Sequence, residues 1–258
     1  TVMALIWYEL WVIPLELTGL LDNHTVLEVL ISTLWTADLV LGFFRGFEQD
    51  GVVDLRFRST AWTYLKSWFL LDGTLVVLDW SLLVQTHMVT FAGAFRGTMT
   101  LRYWRALRLL KFLRWYRMPR LYLNTFNLIR SDLAQTTLTI FSWIVIVLML
   151  CHLIACFWYI LGNASEATPS WVLAAKTMYM EHSHGEEPME WYLYVTALHW
   201  AVTQFTPASM EVTPKNSRER LYNLAAIFTS LVLFPPFLSS ITNSVAAFRK
   251  QNLDQSEA

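Results

Sequence analysis

Seven basic residues recur at every third position near the middle of the chain, with mostly apolar residues between them. They are Arg102, Arg105, Arg108, Lys111, Arg114, Arg117 and Arg120. Such a stripe spirals slowly around an α-helix and runs straight along a 3₁₀ helix, and the pattern leaves both open. At 1.5 Å per residue the run is about 27 Å long, close to the thickness of a bilayer. Each charge that crosses a membrane potential of 100 mV contributes about 2.3 kcal/mol, so this spacing indicates voltage sensing. The alternative is a cytoplasmic basic helix that binds nucleic acid or anionic lipid.

Four acidic residues in otherwise apolar stretches are the natural partners of this ladder, because a cation inside a membrane needs a counter-charge. They are Glu28, Asp38, Asp72 and Asp79. Asp72 and Asp79 lie two helical turns apart and therefore share a face. Trp35 lies one turn before Asp38, so an aromatic ring beside carboxylates can pass arginines by cation–π contact and ion pairing. The alternative is that these acids only stabilise a static bundle.

The composition requires a membrane setting for these charges. Of the 258 residues, 55% are hydrophobic and only 15% are charged, and the mean hydropathy is +0.39. Soluble domains carry roughly 25% charged residues, so soluble and disordered classes are excluded. Two cysteines exclude a disulfide scaffold. Because the chain begins with Thr inside an apolar stretch, we expect it to be an excerpt of a longer protein.

Six stretches are long enough to span a bilayer, which needs about 20 residues. The expected spans are residues 2–21, 25–44, 64–84, 98–118, 133–165 and 221–248, the fourth being the basic ladder. The predicted fold is therefore an all-α membrane protein. Residues 1–118 are predicted to form a four-helix voltage sensor, 119–134 a connector, 135–250 a pore domain and 251–258 the start of a cytoplasmic tail. Basic residues such as Arg45, Arg130 and Arg249 fall on one side of this topology, which is therefore expected to be cytoplasmic.

Residues 191–206 are apolar but short, and Pro207 stops them. Non-helical backbone at membrane depth survives only where it lines protein or water. A half-helix and a loop between two full spans therefore predict a re-entrant pore helix followed by a pore mouth.

Together these stretches resemble voltage-gated cation channels of the potassium-channel superfamily, on the branch of ether-à-go-go, hyperpolarisation-activated and cyclic-nucleotide-gated channels. Besides the ladder, the resemblance rests on YLKSWFLLD (64–72), HLIACFWYILG (152–162), YVTALHWAVTQFT (194–206) and NSRERLYNL through SSITNSVAAFRK (216–250). It implies that Trp35, Asp38 and Asp72 form a charge-transfer cluster, with Glu28 as an outer carboxylate. It also implies a tetramer, of one chain or with related subunits, in the plasma membrane.

The filter departs from this family, whose potassium channels place a TVGYG-like run after the pore helix. This chain has Thr206, Pro207, Ala208, Ser209, Met210 and Glu211 there. Stacked carbonyl rings depend on the permissive dihedrals of glycine, so potassium selectivity is not expected to be strict. Glu211 is expected to form a ring of four carboxylates at the pore entrance. The alternative is that Glu211 pairs with Lys215 or Arg218.

In the last span, Pro235 and Pro236 interrupt the helical hydrogen bonds and predict a kink that acts as a gating hinge or as a static bend. Thr242 and Asn243 follow on the cytoplasmic side, where they can line the inner pore.

The sequence thus predicts a channel for monovalent cations, K⁺ and Na⁺, in contact with membrane lipid. It shows no enzyme motif, and neither a cofactor, a metal site nor a nucleic-acid partner is expected. Two alternatives stay open. One is a non-selective cation channel modulated by a cyclic nucleotide bound to a C-terminal domain outside this chain. The other is a non-conducting regulatory subunit.

Overall fold

The computed structural model describes residues 2–21, 25–49, 52–54, 56–92, 107–117, 131–164, 169–182, 188–206 and 208–257. Apart from one small hairpin, the regular secondary structure in these ranges is helical, in line with the predicted all-α class. The α-helices are α1 (Val2–Thr18), α2 (Thr25–Gly42), α3 (Phe57–Ser67), α4 (Phe69–Ala92), α5 (Asp132–Asn163), α6 (Trp171–His182), α7 (Met189–Phe205) and α8 (Ser217–Glu257). A 3₁₀ helix covers Arg108–Arg117, and strands β1 (Phe47–Gln49) and β2 (Val52–Asp54) form the antiparallel hairpin.

The chain divides into two compact units. Unit 1 contains residues 1–9 and 22–116, and unit 2 contains residues 10–21 and 117–258. The dividing line on the N-terminal side falls inside α1, which remains helical through Pro14. It ends at Thr18, and the next residue, Gly19, has a φ of 76°, the left-handed conformation that glycine adopts without strain.

In unit 1, α2 packs along α4, and the side chains of Trp35, Leu75 and Leu82 on these two helices are buried. Gly42 allows the close packing of α3, because a Cβ there would lie 2.6 Å from the Tyr64 ring. The chain bends by 69° between α3 and α4. The predicted third span therefore changes direction at Trp68, and its first residues belong to α3.

The β1–β2 hairpin leads into α3 through Asp54. One carboxylate oxygen of Asp54 accepts the backbone N–H of Arg56 at 2.9 Å. This bond, followed by one with the Ser59 side chain and by the charge of Arg56, lowers the pKa of Asp54 below its ordinary value.

In unit 2, α5 packs against both α7 and α8. The core is aromatic and tight, with Trp158, Trp171 and Trp200 all nearly inaccessible to solvent. Gly162 admits Trp171, because a Cβ at Gly162 would lie 2.3 Å from the indole nitrogen. Helix α6 lies in a segment for which the sequence predicted no helix, and its first turn belongs to this core.

Three helical segments in the described ranges are long and apolar enough to cross a membrane, 25–42, 134–163 and 217–246, and the bent pair α3–α4 can act as a fourth. Helix α1 has 17 residues, and the 3₁₀ helix carries charges throughout. The six-span topology therefore remains a proposal.

Candidate functional site

The basic ladder forms a straight row of cations in unit 1. Residues Arg108–Arg117 adopt a ten-residue 3₁₀ helix. With three residues per turn, side chains three apart point in the same direction. Arg108, Lys111 and Arg114 consequently lie on one line, the straight form of the stripe that the sequence left open. Arg102, Arg105 and Arg120 lie outside the described residues, and for Arg117 only the backbone is described.

Arg114 lies in a cage of one aromatic ring and two carboxylates, and only 3% of its surface is exposed. Its Nη1 donates to both carboxylate oxygens of Glu9, at 2.8 and 3.1 Å, and its Nη2 lies 2.5 Å from Oδ2 of Asp79. The guanidinium carbon lies 4.1 Å from the ring centroid of Trp35. Trp35 also donates from Nε1 to Glu9 at 3.0 Å. The cage thus satisfies the charge through α1, α2 and α4 together.

The other two cations of the row face a polar crevice. Lys111 Nζ lies 2.9 Å from Oδ1 of Asp79, and Arg108 Nη2 lies 3.8 Å from Glu28. These four residues, with Ser32, Leu82 and Leu83, line a small, partly open crevice. Asp79 therefore neutralises two successive steps of the ladder, and Glu28 neutralises a third.

The remaining two predicted acids have other described partners. Asp38 forms an ion pair with Arg45, which lies beyond the end of α2. Asp72 accepts a hydrogen bond of 2.7 Å from the hydroxyl of Tyr64. Of the five predicted partners of the ladder, the structure brings Glu28, Trp35 and Asp79 to its described part.

Sequence reasoning missed Glu9. It lies on α1, pairs with Arg114 of the ladder, and is 5% exposed. The signal was present, because an acid in a helix as apolar as α1 needs a cationic partner for the same reason as the four acids that were noticed.

In unit 2, helix α7 provides the predicted pore helix and ends at Phe205. Thr206 follows in an extended conformation, and the N–H of Ala208 donates to its carbonyl at 2.7 Å. Pro207 lies outside the described residues. Ser209 and Glu211 are exposed, and Met210 packs against the core. Across the described part of the filter and α8, no ion pair joins Glu211 to Lys215 or Arg218.

Helix α8 is continuous over 41 residues and includes Pro235 and Pro236. The backbone nitrogens of these two prolines carry no hydrogen and cannot donate to the preceding turn. The helix is therefore expected to be weaker at this point. Thr242 and Asn243 are exposed. The hinge and the inner pore lining remain predictions.

Buried His152 connects three elements of unit 2. Its Nε2 lies 3.0 Å from the carbonyl of Trp11, and its Nδ1 lies 2.9 Å from the hydroxyl of Tyr194. A carbonyl only accepts, so Nε2 carries the proton and, in the neutral ring, Tyr194 donates to Nδ1. The described ranges contain no group of three potential metal ligands.

Residues 1–253 match the family described as ion transport protein. The chain belongs to this family. This confirms the resemblance drawn from the ladder and the pore strings.

Three relatives of this ion transport protein illustrate the likeness. Potassium channel AKT1 of Arabidopsis thaliana is 24% identical over 94% of this chain and 27% of its own length. Potassium channel KAT1 of Oryza sativa subsp. japonica is 25% identical over 94% of this chain and 32% of its own. Probable potassium channel AKT5 of Arabidopsis thaliana is 27% identical over 94% of this chain and 26% of its own. The chain thus spans about a quarter to a third of the length of these relatives.

Proposed function

We propose that this chain is the membrane region of a voltage-gated cation channel. The observation that carries the proposal is the straight row of Arg108, Lys111 and Arg114, with Arg114 held between Trp35 and the carboxylates of Glu9 and Asp79. A row of cations that meets acids at successive steps can move by one step and find equivalent partners. Membership of the ion transport family and the potassium-channel names of the relatives support the same function.

The energy of such a movement is sufficient for gating. If about three charges per chain cross the field, a change of 100 mV supplies roughly 7 kcal/mol per sensor. This exceeds the strength of a hydrogen bond to a charged group, about 1.5–3 kcal/mol, so voltage can exchange one ladder residue for the next in the cage.

The pore is proposed to be a tetramer, because one re-entrant helix cannot enclose an ion path. Helix α8 supports this assembly, since Leu224, Phe228 and Leu231 expose large apolar side chains. Some face lipid, and others are available to neighbouring copies. Homotetramers and assemblies with related subunits both fit this surface.

Selectivity is proposed to be for monovalent cations, K⁺ and Na⁺, without strict preference for K⁺. No glycine occurs between Thr206 and Glu211, so the backbone lacks the freedom that stacked carbonyl rings require. The exposed carboxylate of Glu211 would supply a fourfold negative ring at the pore entrance. Divalent cations are expected to bind this ring as well.

The proposed arrangement places six spans in the plasma membrane, with residues 1–118 as the sensor and 135–250 as the pore domain. The connector 119–134 would transmit the movement of the ladder to α8, with Pro235 and Pro236 as the hinge. Arg45 and Arg249 lie on the cytoplasmic side of this topology.

Recording from cells that express the full-length protein alone tests this function. We expect voltage-dependent cation currents whose reversal potentials in Na⁺ and K⁺ solutions differ little. Surface protein without current would favour a regulatory subunit, and current that requires a cyclic nucleotide on the cytoplasmic side would favour the modulated channel. Voltage-independent current would contradict the role of the ladder.

A further inference from the structure

Glu219 has 0% exposure, the lowest of the acids described in unit 2, and the function proposed above gives it no role. It is the third residue of α8. One carboxyl oxygen accepts the backbone N–H of Lys215 at 2.7 Å, and the other accepts the backbone N–H of Trp171 at 3.2 Å. A single carboxyl group therefore joins the segment after the filter to the first residue of α6.

Asn216 completes this connection. Its Oδ1 accepts the N–H of Glu219 at 2.9 Å, which caps α8, and its Nδ2 donates to the carbonyl of Pro169 at 3.1 Å. Asn three residues before Glu is a capping pair that normally serves one helix. Here both side chains also reach the start of α6, because Glu219 accepts the N–H of Trp171 and Asn216 donates to the carbonyl of Pro169.

The indole of Trp171 extends the connection to the pore helix. Its ring stacks parallel to that of Trp158 at 5.5 Å, and Trp158 stacks on Trp200 of α7 at 4.0 Å. Tyr222, one turn after Glu219 on α8, stacks on Trp158 at 5.9 Å and donates its hydroxyl to the carbonyl of Ile154 at 2.9 Å. The N-terminal part of α8 therefore contacts this stack in two ways. Glu219 accepts the backbone N–H of Trp171, and the ring of Tyr222 stacks on Trp158.

These contacts anchor both ends of the filter. The segment from Thr206 to Lys215 begins at α7, which Trp200 fixes in the stack, and ends at the N–H that Glu219 accepts. Met210 and Val212 are the residues of this segment that pack against the described core. Without glycine, the filter depends on such external anchors for its shape.

We propose that Glu219 is a positioning residue for ion selection: it sets the geometry of the outer pore mouth by holding the end of the filter against α6 and the aromatic stack. This inference rests on the proposed channel function. The carboxyl group contacts no ion and acts only through the backbone of Lys215 and Trp171.

The variant E219Q tests the proposal, because the amide is isosteric and keeps only one acceptor oxygen. Its NH₂ group must face a backbone N–H, so one of the two segments is released. The control is E181Q, the same change at an exposed residue of α6. A milder second variant, N216D, keeps the helix cap but removes the donor to Pro169.

One measurement tests the hydrogen bonds that Glu219 accepts, and a second tests their effect on ion selection. In the purified full-length assembly, amide hydrogen exchange at Trp171 or Lys215 should rise about tenfold in E219Q, the factor for loss of one hydrogen bond to a charged acceptor. Exchange in the middle of α5 should not change. In cells, the Na⁺/K⁺ permeability ratio of E219Q should differ from wild type by at least about twofold, with a smaller change in N216D and none in E181Q.

A change that only impaired folding would lower the current and leave the permeability ratio unchanged, and this would overturn the proposal. Unchanged amide exchange in E219Q would overturn it as well. If E219Q does not reach the surface, N216D decides by the same two measurements. If the wild type carries no current, the proposed function fails, and the exchange experiment still confirms or refutes the anchor itself.

Discussion

Neutralising Glu9 should shift the voltage dependence of the sensor. In the structure Glu9 accepts two hydrogen bonds from Arg114 and one from Trp35, and it is almost fully buried. The variant E9Q is isosteric, keeps one acceptor oxygen and loses the charge. The conformation with Arg114 in the cage should therefore become less stable by about 2 kcal/mol, the contribution of a hydrogen bond to a charged group.

This loss converts into a voltage. With about three charges per sensor, 100 mV corresponds to about 7 kcal/mol, so 2 kcal/mol corresponds to a shift of roughly 30 mV. The direction follows from the ladder. In this conformation Arg108 pairs with Glu28, at the outer end of α2 in the proposed topology, while Arg114 lies in the cage. If the cage binds Arg114 less strongly, more depolarisation is needed to bring Arg114 into it. The charge–voltage curve should therefore move to positive potentials.

Gating currents with the pore blocked are the appropriate assay, because they report the sensor whichever direction of movement opens the pore. E181Q, the same chemical change at an exposed residue of α6 in unit 2, is the matched control. D79N should shift the curve in the same direction and further, because Asp79 pairs with both Lys111 and Arg114. The shifts of E9Q and D79N should not add, since both carboxylates hold one guanidinium. Normal surface expression of E9Q with a shift below about 10 mV would refute the assignment of Arg114 as a charge that the cage holds.

Three further predictions concern the ladder, the filter and the pore helix. R108Q removes one of about three moving charges and should flatten the charge–voltage slope by roughly a third; an unchanged slope would place Arg108 outside the field. E211Q should weaken divalent block or permeation because it removes the proposed ring of carboxylates, and an identical ion profile would remove Glu211 from the ion path. H152F leaves a buried carbonyl and the hydroxyl of Tyr194 without their partner and should cost about 3 kcal/mol, measured as a lower Tm of the purified assembly. Adding Y194F should recover part of this loss, and a double variant less stable than H152F would contradict the hydrogen bond between His152 and Tyr194.

The sequence predicted the ladder and most of its partners because charges are rare in apolar helices and their spacing is regular. Glu28, Trp35 and Asp79 all contact the described cations. For Asp38, residue spacing alone did not predict the partner. Its described partner Arg45 lies beyond the last turn of α2, so the contact depends on how the chain leaves the helix, which hydrophobic periodicity does not encode.

The anchors around the filter were harder to predict for a related reason. Glu219 lies in a polar stretch of sequence, where a carboxylate is normally solvated. Its burial results from the approach of α6, a helix that the sequence did not predict, and from the stacking of Trp158 on three other rings. A capping pair such as Asn216 and Glu219 is visible in the sequence, but the second helix that it serves is not.

The conformation of the ladder has a mechanical consequence. A 3₁₀ run of ten residues is unusual, because its hydrogen-bond geometry is poorer than that of an α-helix. The Leu, Lys and Arg residues of this run favour an α-helix, so we infer that the ion pairs with Glu9, Glu28 and Asp79 offset the cost. In an α-helix a step of three residues turns the side chain by about 60° from its predecessor. In the 3₁₀ form the same step is a translation of about 6 Å without rotation. After such a step, the next cation of the ladder meets the face of Trp35 in the same orientation as the cation before it. A cage that does not move can therefore hold successive cations of the ladder one after another.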